Sequence, residues 1–400
     1  MRSHSLSVIA VAVLAGCPDE SPVPDAHLEV DSGLDAASLD APRSPSDAPR
    51  DAVVDFSRII DALTYEYDWS CSGEVTPPLT TPSAEPSVED CREGIWPELP
   101  LTSVCPTISS VTRVDPDTGM SLPPIDERPL PTSIPVSESG SFLPAELPAA
   151  WPSTLRVVEW NMEYTRDLDA QIETLATDPE LSRGDVYLLS ELDRCSSRNG
   201  VRRAARLLAE RIGGDYVYGI EFVELSIGRT LGGDTGNAIV SRRPLRDASI
   251  LCQSSQYDWF ADDEEPRLGQ RIVISAEIPV GEAWVRVHSA HFESNDLTGE
   301  RRTVQLKEIL DHAQESACER PQILAGDFNT WYPRAPERHV LEHAGWNDAM
   351  EDVGDLGPTH DSGRRLDYIY VRGFAVRGGA VLRDVHTSDH YPQWVDLALE

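Results

Sequence analysis

The stretch "ILAGDFNTW", residues 323–331, runs a short apolar segment into an acid and an amide, Asp327 and Asn329. Gln322 to Ala325 have the texture of a buried strand, and Gly326 is where such a strand should stop. Asp and Asn are poor strand formers. Two residues apart at a strand end, they are expected on one side of the sheet. An Asx-turn closing the strand would use the same two residues, so the pair alone does not separate a turn from a site. What separates them is how the other strands end.

Upstream of this stretch, from Trp151 onward, apolar strands alternate with amphipathic helices. The order is "LRVVEWN" (155–161), a helix near 168–177, "DVYLLSE" (185–191), a helix near 201–212, then strands at "YVYGIEF", "NAIVSR", "RIVISAEI" and "WVRVHSAHF". A long helix near 297–315 leads to "QILAGDFN", "LDYIYVRG" and a last strand near "WVDLAL". This pattern predicts an α/β domain over residues 151–400, built as a four-layer α/β/β/α sandwich of two mixed sheets flanked by helices.

Polar residues recur where those strands stop. Asn161 and Glu163 follow the first, Glu191 ends the second, His291 ends another, Asp367 opens "LDYIY", and "SDH" supplies Asp389 and His390. Singly, each is a cap or a turn. Gathered with Asp327 and Asn329 on one rim, they form a like-charge cluster that calls for a divalent cation. Carboxylate and amide oxygens suit Mg²⁺ or Mn²⁺ rather than zinc.

The ordered set "EWN", "LLSE", "GNAIVSR", "HSAHFES", "GDFNTW", "RLDYIYV" and "SDHYP", over roughly 155–400, resembles the endonuclease/exonuclease/phosphatase superfamily of metal-dependent phosphohydrolases. The resemblance implies that Glu191 is the principal metal ligand, with Asn161, Asp389 and, through water, Glu163 in support. It implies that Asp327 prepares the attacking water and that Asn329 holds it and a phosphate oxygen. His390, polarised by Asp367, and His291 would contact the phosphate. His288, three residues before His291, is expected to point away.

The formal net charge of −34 argues against a broad basic footprint for nucleic acid. Residues 1–150 hold 25 acidic and 7 basic side chains, and 151–400 hold 43 and 27. Such charge does not exclude phosphate chemistry, because screening acts over roughly 8 Å and a bound metal dominates its own site. Nucleases of the superfamily often place a basic residue shortly after the metal-binding glutamate. Here Asp193 and then Arg194 follow, which lowers DNA as substrate and leaves nucleic acid and phospholipid both open. Arg198, Arg202, Arg203 and Arg206 offer either a phosphate patch or a solvated helix face.

The first residues, "MRSHSLSVIAVAVLAGC", resemble a bacterial lipoprotein signal peptide over 1–16, with Cys17 as the lipidated residue. The apolar stretch from Leu6 to Leu14 is too short to span a bilayer. Residues 17–54 read as a disordered acidic Asp/Ala/Pro/Ser tether, with "DAPR" at 40–43 and again at 47–50. Residues 55–150 read as an irregular Pro-rich, Cys-containing extension. Cys71, Cys91 and Cys105 lie before residue 151 and Cys195, Cys252 and Cys318 after it, so pairing all six requires an odd number of bridges between the two parts. The expectation is an exported phosphodiesterase or phosphohydrolase in the cell envelope, held to a membrane by its N-terminal lipid and needing no obligate protein partner. The alternative is an envelope-binding lipoprotein with a vestigial catalytic domain.

Overall fold

The computed structural model describes residues 102–103, 137–224, 233–259, 262, 267–317, 320–330 and 335–400. The signal peptide with Cys17, the acidic tether, most of the extension, and Cys71, Cys91, Cys105 and Cys318 lie outside the described residues.

The described residues form sixteen strands and five α-helices. The strands are β1 (Thr102–Ser103), β2 (Ser137–Ser141), β3 (Thr154–Asn161), β4 (Val186–Ser196), β5 (Arg202–Arg203), β6 (Asp215–Glu224), β7 (Asp234–Ser241) and β8 (Arg246–Cys252). They continue as β9 (Arg267–Gly269), β10 (Ile272–Val280), β11 (Ala283–His291), β12 (Gln322–Asp327), β13 (Asn347–Asp348), β14 (Asp367–Arg372), β15 (Phe374–Val381) and β16 (Gln393–Leu399). The helices are α1 (Leu168–Thr177), α2 (Ala204–Ile212), α3 (Glu300–Ala317), α4 (Pro336–His343) and α5 (Ala349–Val353).

Two mixed sheets result. One runs β1-β8-β10-β11-β12-β14-β13 and the other β15-β16-β3-β4-β7-β6-β2, with β5 on β4 and β9 on β6. Val157, Leu188, Val217 and Ile239 of the second sheet meet Ile274, Val285, Ile323 and Ile369 of the first in one apolar core between them. Alternate residues face outward: Val158 and Leu189 pack with Leu168, Leu175 and Leu208 of α1 and α2. On the far side, Leu324 and Tyr370 pack with Leu306, Ile309, Leu310 and Val340 of α3 and α4. Both sheet faces are therefore covered, which is why the strands read as unbroken apolar runs. Each fully buried Ile, Val or Leu contributes about 1.5–3 kcal/mol. The expected α/β/β/α layering is present.

Parallel pairing needs a crossover, and two positions supply one: β3–α1–β4 and β11–α3–β12. Both helices cover outer faces, and Asn161, His291 and Asp327 lie at the carboxyl ends of β3, β11 and β12.

The sheets begin before the boundary at residue 151 drawn from sequence. β2 pairs antiparallel with the edge of β6, and β1 pairs with β8. "SESGS" has no apolar alternation of its own, so it is recruited by the open edge of β6 rather than by propensity. Glu138 of β2 reaches the buried guanidinium groups of Arg194 (3.4 Å) and Arg203 (3.1 Å), which ties the segment to the domain chemically as well.

Candidate active site

Strand register assembles the core of the site. His291 sits opposite Asp327 across β11–β12, and Asp327 sits opposite Asp367 across β12–β14. Three strands thus deliver three ionisable groups side by side. In the other sheet, Asn161 closes β3 and Glu191 lies on β4, where the register with β7 shifts between Leu189 and Leu192. That bulge gives Glu191 a φ of 54°, a left-handed conformation costing about 1–3 kcal/mol for such a residue.

Asp327 is the hub. Its Oδ2 accepts from Asn161 Nδ2 at 3.1 Å and faces His291 Nε2 at 3.7 Å and His390 Nε2 at 3.8 Å. Its Oδ1 accepts the Asn329 backbone N–H at 2.8 Å, so the Asx-turn foreseen as one reading of "GDFN" is also part of the site. The strand stops at Asp327, and Asn329 takes a φ of 49°. The turn rather than strand alternation therefore aims the Asn329 amide, whose Nδ2 donates to the Phe292 carbonyl at 3.1 Å. Gly326 is required by close approach: at its φ of 144°, a Cβ would lie 1.8 Å from the Ala290 carbonyl oxygen.

His390 Nδ1 donates to Asp367 at 2.8 and 3.0 Å. Burial by itself lowers the basicity of this imidazole, but the charge and hydrogen bonds of Asp367, with Asp327 and Asp389 nearby, hold its pKa well above the ordinary range. It therefore carries its proton at neutral pH. The backbone at Asp367 is fixed in turn by the Thr359 side chain, whose Oγ1 accepts the N–H of Asp367 and that of Leu366. The loop carrying Ser388–Asp389–His390 is fastened to β3: Trp160 Nε1 donates to the His390 carbonyl at 2.9 Å, and Ser388 Oγ to the Asn161 carbonyl at 2.8 Å.

Glu163 lies within a run of three left-handed residues, Glu163 to Thr165. Its carboxylate is engaged by Arg166 at 3.0 Å and by the Asp389 backbone N–H at 3.1 Å, so it holds the loop in place. His288 points outward as expected, its Nδ1 2.7 Å from Ser275 Oγ.

Three further residues gather around His291 that were not named as site residues from the sequence, although Asn237 lies within "GNAIVSR". Glu221 lies 3.2 Å from His291 Nδ1, Arg271 lies 2.8 Å from the same nitrogen and 3.1 Å from Glu221, and Asn237 Nδ2 donates to Glu221 at 3.1 Å. Burial works against a charged Glu221, but His291 and Arg271 hold its carboxyl below the usual range. The available signal was an acid inside the apolar "YGIEF" strand. Beneath the site, burial and then the charge of Asp367 push the carboxyl of Glu159 well above its ordinary range, opposite the amide of Gln393 at 2.8 Å.

The arginines after Glu191 form no open phosphate patch. Arg198 is clamped by Asp193 (2.8 Å) and Glu224 (3.0 Å), Arg202 by Asp169 (2.6 Å) and Arg203 by Glu138, while Arg206 stacks on Phe142. Arg198 and Arg203 are largely buried in these pairs, whereas Arg202 meets the exposed Asp169 at the surface.

The order of the site along the chain is what a sequence family can be tested on. Residues 158–390 match the pattern of the Endonuclease/Exonuclease/phosphatase family. The chain belongs to that family. UPF0294 proteins of Yersinia pseudotuberculosis and Yersinia pestis are 33% identical to it over 116 residues, which is 28% of this chain and 41% of theirs. The chain thus spans about two fifths of the length of these curated relatives. Among solved structures, an endonuclease/exonuclease/phosphatase from Beutenbergia cavernae is similar at 23% identity and a TM-score of 0.48, covering 62% of this chain and 72% of that one. The human Nocturnin catalytic domain with bound sulfate is similar at 17% identity and a TM-score of 0.48, covering 63% and 97%.

Proposed function

We propose that this family member is an exported, lipid-anchored, Mg²⁺-dependent hydrolase of phosphoester bonds. The observation that carries the reading is the single carboxylate oxygen, Asp327 Oδ2, faced by the Asn161 amide and by the Nε2 atoms of two histidines. Asp327 orients and deprotonates the attacking water. Protonated His390, held by Asp367, and His291, held by Glu221 and Arg271, flank the position where phosphate oxygens gather charge in the transition state. Asn329 contributes its amide oxygen to the same water.

The donor set fits a hard divalent cation: Glu191 and Asp389 supply carboxylates, and Asn161 its amide oxygen, which accepts the Glu163 N–H at 3.0 Å while Nδ2 faces Asp327. Mg²⁺ or Mn²⁺ held there would polarise the phosphoryl oxygen. Glu163 acts by holding Asp389. The self-neutralised arginines beside Glu191 favour a small or lipid-borne phosphate ester over a long polyanion, whose backbone would need open cations. Export is supported by the signal-like N-terminus and by Cys195 and Cys252, each disulfide-bonded, as expected in an oxidising compartment.

The test is hydrolysis by the purified full chain of sphingomyelin, inositol phosphates, RNA and DNA in Mg²⁺, with Asp327→Asn as control. Turnover of a lipid or small phosphate ester that Asp327→Asn abolishes supports the proposal. Faster turnover of DNA overturns the substrate preference, and no turnover of any of the four overturns the enzyme.

A further inference from the structure

His360 stands beside the site without belonging to any of its motifs. Its ring packs edge-on against that of His390, centroids 4.5 Å apart, and its Nε2 lies 3.4 Å from Asp389 Oδ2. With Asp389 and His390 it forms a group whose ligand atoms lie within 4.8 Å of one another, close enough to suggest a nitrogen-rich metal site. The other ring nitrogen decides against that. Ser362 donates its backbone N–H to His360 Nδ1 at 2.9 Å, and its Oγ lies 2.8 Å from the same atom. A backbone N–H only donates, so Nδ1 is an acceptor and the ring proton sits on Nε2, facing the carboxylate. A protonated nitrogen is no ligand.

We infer that His360 is a positioning residue for Asp389. Its Nε2–H steadies the Asp389 carboxylate from one side while Glu163 holds the Asp389 backbone N–H from the other. A polar group held against a ligating carboxylate from outside typically governs metal affinity by about 10–100-fold. The inference rests on the proposed function, in which Asp389 supports the cation. The link between this turn and the loop of Asp389 includes main-chain bonds that do not involve the imidazole. Tyr391 N donates to Thr359 O at 2.7 Å and Asp361 N to Asp389 O at 2.9 Å, so main chain joins residues 359–361 to 389–391.

That permits a clean pair of substitutions. His360→Phe keeps a ring against His390 and removes both the N–H and the Nδ1 acceptor of the Ser362 N–H, whereas His360→Gln also lacks that ring acceptor but places an amide N–H at about the reach of Nε2, so the comparison of the two isolates the N–H. The experiment is titration calorimetry of Mn²⁺ into the metal-free full chain, with melting temperature measured alongside. The expected result is Mn²⁺ binding weakened about tenfold or more in His360→Phe at an unchanged melting temperature, and restored to within about threefold in His360→Gln. Equal Mn²⁺ affinity in wild type and His360→Phe overturns the inference alone, as does a His360→Gln no tighter than His360→Phe. Wild type that binds no Mn²⁺ overturns the proposed function itself.

Discussion

His312 on α3 offers a stability test whose size can be worked out in advance. Its ring is largely buried beside Ser249 (Nε2 to Oγ, 3.4 Å), with His288 packed near it. Burial, and then the charge of Arg286, push its pKa from 6.5 down to about 4, with Asp247 opposing. The folded chain therefore keeps the ring neutral where the unfolded chain would protonate it. The stability this contributes is present above pH 6.5 and is lost as pH falls towards 4. At 1.36 kcal/mol per unit, the loss is at most about 3 kcal/mol, a large share of a typical 5–15 kcal/mol. The wild-type profile alone does not isolate it. Asp193 and Asp215 are pushed by burial from 3.8 up to about 6 and gain stability on acidification across the same window. The comparison is therefore His312→Leu against wild type, by urea denaturation followed through tryptophan fluorescence at several pH values between 7 and 4. The stability difference between the two proteins should shift by about 3 kcal/mol in favour of His312→Leu as pH falls. Parallel curves, differing by a constant at every pH, would refute the argument.

His390→Ala should lower the chemical step about 10²-fold or more, and Asp367→Asn should do likewise by misorienting the ring; a double mutant far worse than either single one would show that the two act independently. Gly326→Ala should destabilise by roughly 3 kcal/mol or more, because the added Cβ meets main chain that cannot rotate away; an unchanged melting temperature would contradict the close approach to Ala290. Cys195 and Cys252 should resist alkylation in the native protein and react after reduction, and non-reducing peptide mapping should find at least one bridge between the first three cysteines and the last three. Mapping that finds only bridges within each part would leave the extension unlinked.

The layered core was legible because its strands are covered on both faces. Runs such as "VYLLS" and "RIVISAEI" have few other uses, and the helix read near 168–177 is α1 itself. Elements that owe their structure to neighbours were not legible. Polar β2 exists because β6 has an open edge, and the helix read from 201 begins at Ala204, since Arg202 and Arg203 pair with β4 instead. The strand ending at Glu191 runs on to Ser196 through the bulge. At the site, the sequence located residues at strand ends because those ends carry polar groups that a core excludes. It could not locate Arg271, Thr359 or His360, whose importance comes from what lies opposite them in space, and Glu221 was marked only as an acid inside an apolar strand. Nor could it see that Glu224 helps neutralise Arg198 and that Glu138 neutralises Arg203, both acids being distant in sequence.

The most direct test of the central claim is the rate of bis-p-nitrophenyl phosphate hydrolysis by the full chain, wild type and Glu191→Gln, across a Mg²⁺ titration and in excess chelator. The account predicts that wild-type turnover rises with Mg²⁺ and vanishes in chelator, and that Glu191→Gln folds normally but stays inactive at Mg²⁺ concentrations that saturate the wild type. Wild-type turnover that persists in chelator, or undiminished turnover by Glu191→Gln at saturating Mg²⁺, would contradict it.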